Sequence, residues 1–441
     1  MVQNGMEVTP NLNKLSRESL EFENAYTTCP LCVPARTSLA TGVFPTKTKV
    51  VINDLKNIPS ETKKFTSLHE YLDRAGYRVN HFGMQHISLV PSLKERVNFN
   101  RYIDDDDYEK ICKINNMPLF GVPEDRVEVE EKHGKIYERR EYTGSRVTVF
   151  ERDKSLYRDE FYKDNLFQYL ETEEFDKPVA IFLNLWCPHP PLRVLEEYAQ
   201  KFNNPELPPN INMCAENEPP SRRKGIAAQL AEDHDLEHWK KVWAAYLGMT
   251  NYADEIIGEF IQKLKDKGVY DNTIIVFTAD HGDHLGQHKM FQKMEMYDQA
   301  INIPLMIRIP GIEHKKISTN VSHLDIVPTL LECVGIQGNT SDFDGESLVK
   351  YIKDGKFPEE RYVFTQYSGN QVAIGDLRRA VTGKDIKYVW DGESGEELFD
   401  LLKDPLEMKN LASDKNYFSV KQKLRDKLKM FLQQVNDWTD I

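Results

Sequence analysis

The sequence predicts an α/β protein: a mainly parallel or mixed sheet with helices on both sides, followed by a small C-terminal α+β subdomain. Two continuous apolar runs of strand length, "PVAIFLNLW" (178–186) and "NTIIVFTAD" (272–280), have the pattern of strands covered on both faces. Between them "HWKKVWAAYLGMTNYADEIIGEFIQKLKDKG" is a long amphipathic helix stopped by Gly268. Strands alternating with helices give a sheet covered on both sides. After about residue 355 the texture changes to short strands and one closing helix, dividing the chain into 1–355 and 356–441.

The remaining elements follow in order. "EVTPNLNKLSRESLEFENAY" reads as one helix, with Thr9 as its cap, Pro10 at its first position, and Leu12, Leu15 and Leu20 on one face. An α/β domain commonly opens on a buried strand, so this start reads as incomplete. "FTSLHEYLDRAGYRVNHFGMQH" is a helix ending near Gly76 and then a short strand; "IPLMIRIP" is a strand and "HLDIVPTLLECVG" a helix. "RRAVTGKDIKYVWDG" is two strands around a Gly-Lys-Asp turn, and "SVKQKLRDKLKMFLQQVNDW" an amphipathic helix. The polar stretches 97–165 and 200–238, with "DDDD" (104–107) and "SRRK" (221–224), read as solvated insertions.

Composition limits the function classes. At 441 residues, 40% hydrophobic and 29% charged, the chain is an ordinary globular protein with no apolar run long enough for a membrane helix. A net charge of −13 argues against nucleic acid or an anionic membrane as partner and confines anion chemistry to a local pocket. Six scattered cysteines make no disulfide framework, and no signal peptide is visible, so a reducing, cytoplasmic setting is expected.

"CPLCVPARTSLATG" (29–42) carries the chemistry. Pro34 fits the first turn of a helix that Gly42 stops, which puts Cys32 at the N-terminus, where unpaired N–H groups and the dipole favour negative charge. Arg36, one turn on, adds a full positive charge beside it. Such a thiol is acidified and reactive. A buried cysteine before an ordinary helix is the alternative reading of this stretch alone.

"CVPARTSLATG" resembles the sulfatase signature, and the resemblance runs from "TPNLNKL" through "DHGDHLGQH" to "ELFDLLKDPLEMKNLA". It implies an alkaline-phosphatase-like fold, with a central mixed sheet flanked by helices, and conversion of Cys32 to formylglycine by a maturation enzyme. Hydrated, that aldehyde attacks the sulfur of a small-molecule or saccharide sulfate ester with one hydroxyl, and expels sulfate with the other. The resemblance also implies a divalent metal held by Asp280, His281 and residue 32. Hard oxygen ligands favour Ca²⁺, the first expectation, and an imidazole shifts the preference towards Mn²⁺. Asp283 and His284 follow closely as alternative or supporting ligands. His189 matches the histidine that contacts sulfate or protonates the leaving oxygen, Lys293 the lysine that clamps the ester, and His86 the histidine that takes a proton from the diol.

Two departures stand out. Where sulfatases carry glycine-lysine-x-histidine, this chain has Gly83, Met84, Gln85 and His86, a lost cation worth on the order of a hundredfold in rate. Sulfatases also open with a buried strand ending in one or two aspartates of the metal site, and this chain starts after that point. A phosphonate monoester or phosphodiester hydrolase of the same fold, or a silent sulfatase-like binding protein, are the competing expectations.

Overall fold

The computed structural model describes residues 2–3, 5–338, 340–371, 374–393 and 395–441. The first helix, α1 (Pro10–Ser16), starts as predicted with Thr9 at its N-cap and Pro10 at its first position, but it stops at Ser16. Leu20–Tyr26 is a strand, β1, and not the continuation of that helix. "LEFENAY" buries Leu20 and Phe22 on either side of Glu21 and exposes Glu23, an alternation that the helical reading of Leu20 missed and that shifts by one before the buried Ala25 and Tyr26. A buried strand therefore does stand near the start of the chain.

Next come α2 (Cys32–Thr41), α3 (Leu68–Arg74), β2 (Arg78–Gly83), β3 (Arg101–Ile103), β4 (Val179–Asn184), α4 (Leu236–Asp266) and β5 (Ile275–Thr278). They are followed by β6 (Asn302–Arg308), β7 (Lys315–Ile317), β8 (Val321–Ser322) and α5 (Ile326–Cys333). The mixed α/β architecture stands, with its strands in two groups. One is parallel, in the order β3-β2-β4. The other runs β5-β6-β1-β7, with β8 also on β1; β6 is antiparallel to both its neighbours, and β7 and β8 are parallel to β1.

Among the described residues β4 and β5 are each paired along one edge, and every residue of both is half-buried. β4 is covered on both faces as its apolar run suggested, with Ala180 and Phe182 packed into one cluster and Val179, Ile181 and Leu183 into another, while Val276 of β5 packs with Leu305 and Ile307. Their C-terminal ends approach one another through Arg36, which donates to Asp280 beyond β5 and to the Met84 carbonyl, while Asn184 of β4 donates to that same carbonyl.

The C-terminal part is an antiparallel meander, β9 (Val363–Tyr367), β10 (Arg378–Thr382), β11 (Ile386–Asp391) and β12 (Gly395–Asp400). It is closed by α6 (Phe418–Gln434), whose Leu424, Leu428 and Phe431 pack on Val381, Tyr388 and Leu398. "DDDD" is a helix start: Asp104 caps the Asp105–Ile114 helix, with three acidic residues in its first turn. "SRRK" is not simply solvated, because Arg222 is buried against Glu295, Asp391 and Glu397, whose charges compensate its own.

Candidate active site

α2 begins and ends where the sequence places it, with Cys32 first and Gly42 as a left-handed C-cap at φ 72°. Its N-terminus is steadied by Asn53, whose side chain accepts from the Val33 N–H at 3.0 Å. Asn370 fixes Asn53 in turn, at 2.8 Å between their amides and 2.7 Å from the Asn53 N–H to its carbonyl. Neither asparagine stood out in the sequence; neutral amides in loops carry no pattern.

Cys32 is 6% exposed, and its Sγ meets Lys293 Nζ at 3.1 Å and His281 Nε2 at 3.2 Å. Arg36 adds its charge near the thiol without hydrogen-bonding to it. One turn on, its Nε donates to Asp280 at 2.7 Å and its Nη1 to the Met84 carbonyl at 2.8 Å. Met84 thus serves the site with its backbone, although its side chain brings no charge.

Lys293 is buried and sits between Gln292 and Met294, both left-handed at φ 66° and 75°. Such conformations cost about 1 kcal/mol or more each and persist where surroundings enforce them. Here Arg378 holds the Met294 carbonyl at 2.9 Å, and the Gln292 amide donates to the Thr143 carbonyl at 2.6 Å. On its other side Lys293 Nζ lies 3.1 Å from His189 Nε2. His189 Nδ1–H donates to the Pro190 carbonyl, which leaves Nε2 as the acceptor.

Asp280 and His281 follow β5. Gly282 is required here, since a Cβ would stand 2.1 Å from the Gln299 carbonyl oxygen. The Gly282 carbonyl accepts from His281 Nδ1–H at 3.0 Å and so turns Nε2 towards Sγ. The ligand atoms of Cys32, Asp280 and His281 all lie within 4.8 Å of one another.

Burial alone would raise the Cys32 thiol, but Lys293 and His281 outweigh it and hold the thiol well below its ordinary value. Burial works against the Asp280 carboxylate too, yet Arg36 and His281 bring it down to about 2. Lys293 loses from burial and gains more from Cys32 and Asp283, so its ammonium is strengthened. His189 is lowered by burial and then by Lys293. Asp283 is raised by burial, faces Lys293, His281 and His189, and keeps Oδ1 buried without a hydrogen-bond partner.

Two sequence-named residues stand apart. His86, left-handed at φ 47°, turns its Nε2 to Asp105 Oδ2 at 3.8 Å and makes no hydrogen bond to Cys32. His284 is fully buried, its Nδ1 bonded to the Gln292 carbonyl at 2.9 Å, and it is not part of the metal-ligand group.

This geometry has counterparts among known proteins. The sulfatase family model matches residues 1–336, and a model of the N-sulphoglucosamine sulphohydrolase C-terminal region matches residues 286–434. The chain belongs to the sulfatase family. This sulfatase is 29% identical to a choline-sulfatase of Rhizobium meliloti over 426 residues, covering 92% of this chain and 78% of that one. It is 28% identical to an arylsulfatase of Clostridium perfringens over 437 residues, covering 93% and 86%. Among solved structures, a 2-O GAG sulfatase superposes with a TM-score of 0.72 at 23% identity, covering 98% of this chain and 88% of that one. A phosphonate monoester hydrolase of Silicibacter pomeroyi superposes with a TM-score of 0.77 at 21% identity, covering 98% and 91%. These likenesses establish the alkaline-phosphatase-like fold. The protein is a sulfuric ester hydrolase.

Proposed function

We propose that this sulfatase hydrolyses a small-molecule or saccharide sulfate ester, using formylglycine made from Cys32 by a maturation enzyme. The observation that carries the reading is Lys293 Nζ, 3.1 Å from both Cys32 Sγ and His189 Nε2. An anionic oxygen in place of Sγ would meet an ammonium, an imidazole and a helix N-terminus, so the surroundings fit the modified residue. Formylglycine supplies a hydrated aldehyde whose oxygen is the nucleophile towards sulfur.

The chain's own residues do the rest. Lys293 holds negative charge between position 32 and His189. His189, its Nδ1–H bonded to the Pro190 carbonyl, points Nε2 into the site, where a proton carried on that nitrogen passes to the leaving oxygen as its bond to sulfur breaks. His281 is the imidazole in contact with position 32 and takes the place foreseen for His86 in holding that residue's proton. Arg36 fixes the Asp280 carboxylate.

The family implies a divalent metal, and the donors test which kind. With position 32 converted, Asp280, His281 and residue 32 would offer one carboxylate, one imidazole and one oxygen. Ca²⁺ takes about six to eight oxygens, more than these three residues supply, and no step is assigned to it.

The test pairs intact mass with turnover. Conversion exchanges sulfur for oxygen and removes two hydrogens, so residue 32 becomes lighter by about 18 Da. The converted protein is expected to cleave an aryl sulfate faster than an aryl phosphonate monoester. A preference of orders of magnitude for the phosphonate makes it a phosphonate hydrolase; an unmodified Cys32 without turnover of either ester makes it a silent binding protein.

A further inference from the structure

Before any conversion, residue 32 is a cysteine with a different coordination chemistry. We infer that in this form the Cys32 thiolate, His281 Nε2 and one Asp280 oxygen bind a thiophilic divalent ion of the Zn²⁺ class, with a fourth position left open. The inference concerns the unconverted side chain and stands or falls independently of the proposed hydrolysis.

Distances decide it first. Tetrahedral Zn²⁺, with bonds of about 2.3 Å to sulfur and 2.0–2.1 Å to nitrogen, separates those two atoms by about 3.5 Å, and nitrogen from a carboxylate oxygen by about 3.4 Å. Cys32 Sγ and His281 Nε2 are 3.2 Å apart, and His281 Nε2 and Asp280 Oδ2 are 3.7 Å apart. These two separations are within a few tenths of an ångström of the tetrahedral values, and the third pair, Cys32 Sγ and the Asp280 carboxylate, lies within 4.8 Å.

Donor chemistry decides it second. Thiolate with imidazole selects borderline and soft ions over Ca²⁺ and Mg²⁺. Each nitrogen and oxygen ligand is already oriented from behind: His281 Nδ1–H by the Gly282 carbonyl at 3.0 Å, and Asp280 Oδ2 by Arg36 Nε at 2.7 Å. All three side chains are largely buried, so few waters compete with them. On binding, an S–metal bond forms and any thiol proton passes to buffer.

Lys293 opposes the ion, because its ammonium is 3.1 Å from the same sulfur. That repulsion gives the inference a signature of its own.

The experiment titrates unconverted, full-length protein with Co²⁺ as a coloured stand-in for Zn²⁺. The expected result is one equivalent bound, with a thiolate-to-metal charge-transfer band and the strong visible absorption of a tetrahedral ion, both abolished by one equivalent of Zn²⁺. Cys32→Ser removes the charge-transfer band, His281→Ala weakens binding tenfold or more, and Lys293→Met strengthens it. In parallel, Zn²⁺ protects Cys32 from iodoacetamide while the exposed Cys214 stays reactive, as read by peptide mass spectrometry on parent protein, which avoids any variant that misfolds. A band that is absent in the parent, a band that persists in Cys32→Ser, or Cys32 alkylated equally with and without Zn²⁺, overturns the assignment.

Discussion

Cys32 owes its acidity to residues that lie far from it in the chain. Arg36, four positions along, is spent on Asp280 and the Met84 carbonyl, whereas Lys293 and His281 touch the sulfur from 261 and 249 residues away. Lys293 is the largest influence opposing burial of the thiol. In unconverted protein, Lys293→Met is therefore expected to move the thiolate ultraviolet titration of Cys32 to higher pH; an unchanged midpoint contradicts it. The types of residue the site needs were legible: a cysteine opening a helix, Asp280 and His281 ending a strand, His189 and Lys293 in family order. Their contacts were not. Nothing local told that Met84 would act through its carbonyl, that Asn53 would meet the helix start, or that His86 would turn to Asp105.

Among the elements, β4 and β5 stand out by their pairing. Both are apolar, both are paired on one edge among the described residues, and both end at the site. An edge strand offers unbonded N–H and C=O groups and opens locally at low cost. Hydrogen exchange is expected to be faster in 179–184 and 275–278 than in the doubly paired β1 and β6, most clearly at amides not bonded to β2 or β6. Equal protection across all four strands refutes this. The helix ends are legible where caps mark them: α2 stops at Gly42, and α4 is followed by the left-handed Gly268. The start failed for the opposite reason. Leu12, Leu15 and Leu20 fit a helical face by spacing, but the alternation of "LEFENAY" suits a strand that β6 and β7 receive on either side.

Across the whole molecule, one buried ion cluster ties the loop of Lys293 to the C-terminal meander. Arg222 of "SRRK" and Arg378 of β10 share Glu295, two residues past Lys293, together with Asp391 of β11; Glu397 of β12 pairs with Arg222. Burial pushes the Glu295 carboxyl up to about 7, and Arg378 and Arg222 offset only part of that. The folded form then binds this proton more tightly than the unfolded chain, whose carboxyl titrates near 4.3. Its contribution is fully present below that value and is lost as pH rises through about 7. Between pH 5 and 8, Glu295→Gln is expected to show a smaller fall in thermal midpoint than the parent; an equal fall rules out Glu295 as the source. Removing Arg222 instead would strand several carboxylates, at a cost of about 3 kcal/mol or more.

By itself the sequence determined the α/β class, two strands and the closing helix of the C-terminal part, and the place of Cys32 at a helix start, because turns, caps and apolar periodicity act over a few residues. Only the tertiary structure decided that the strands before the C-terminal meander include a parallel group and a mixed one, that Lys293 and His281 contact the sulfur while Arg36 is bonded to Asp280, and that one carboxylate, one imidazole and one sulfur lie within 4.8 Å of one another. Those outcomes depend on distances between residues hundreds of positions apart, and electrostatics and metal bonding are set by such distances, whatever the order of residues along the chain.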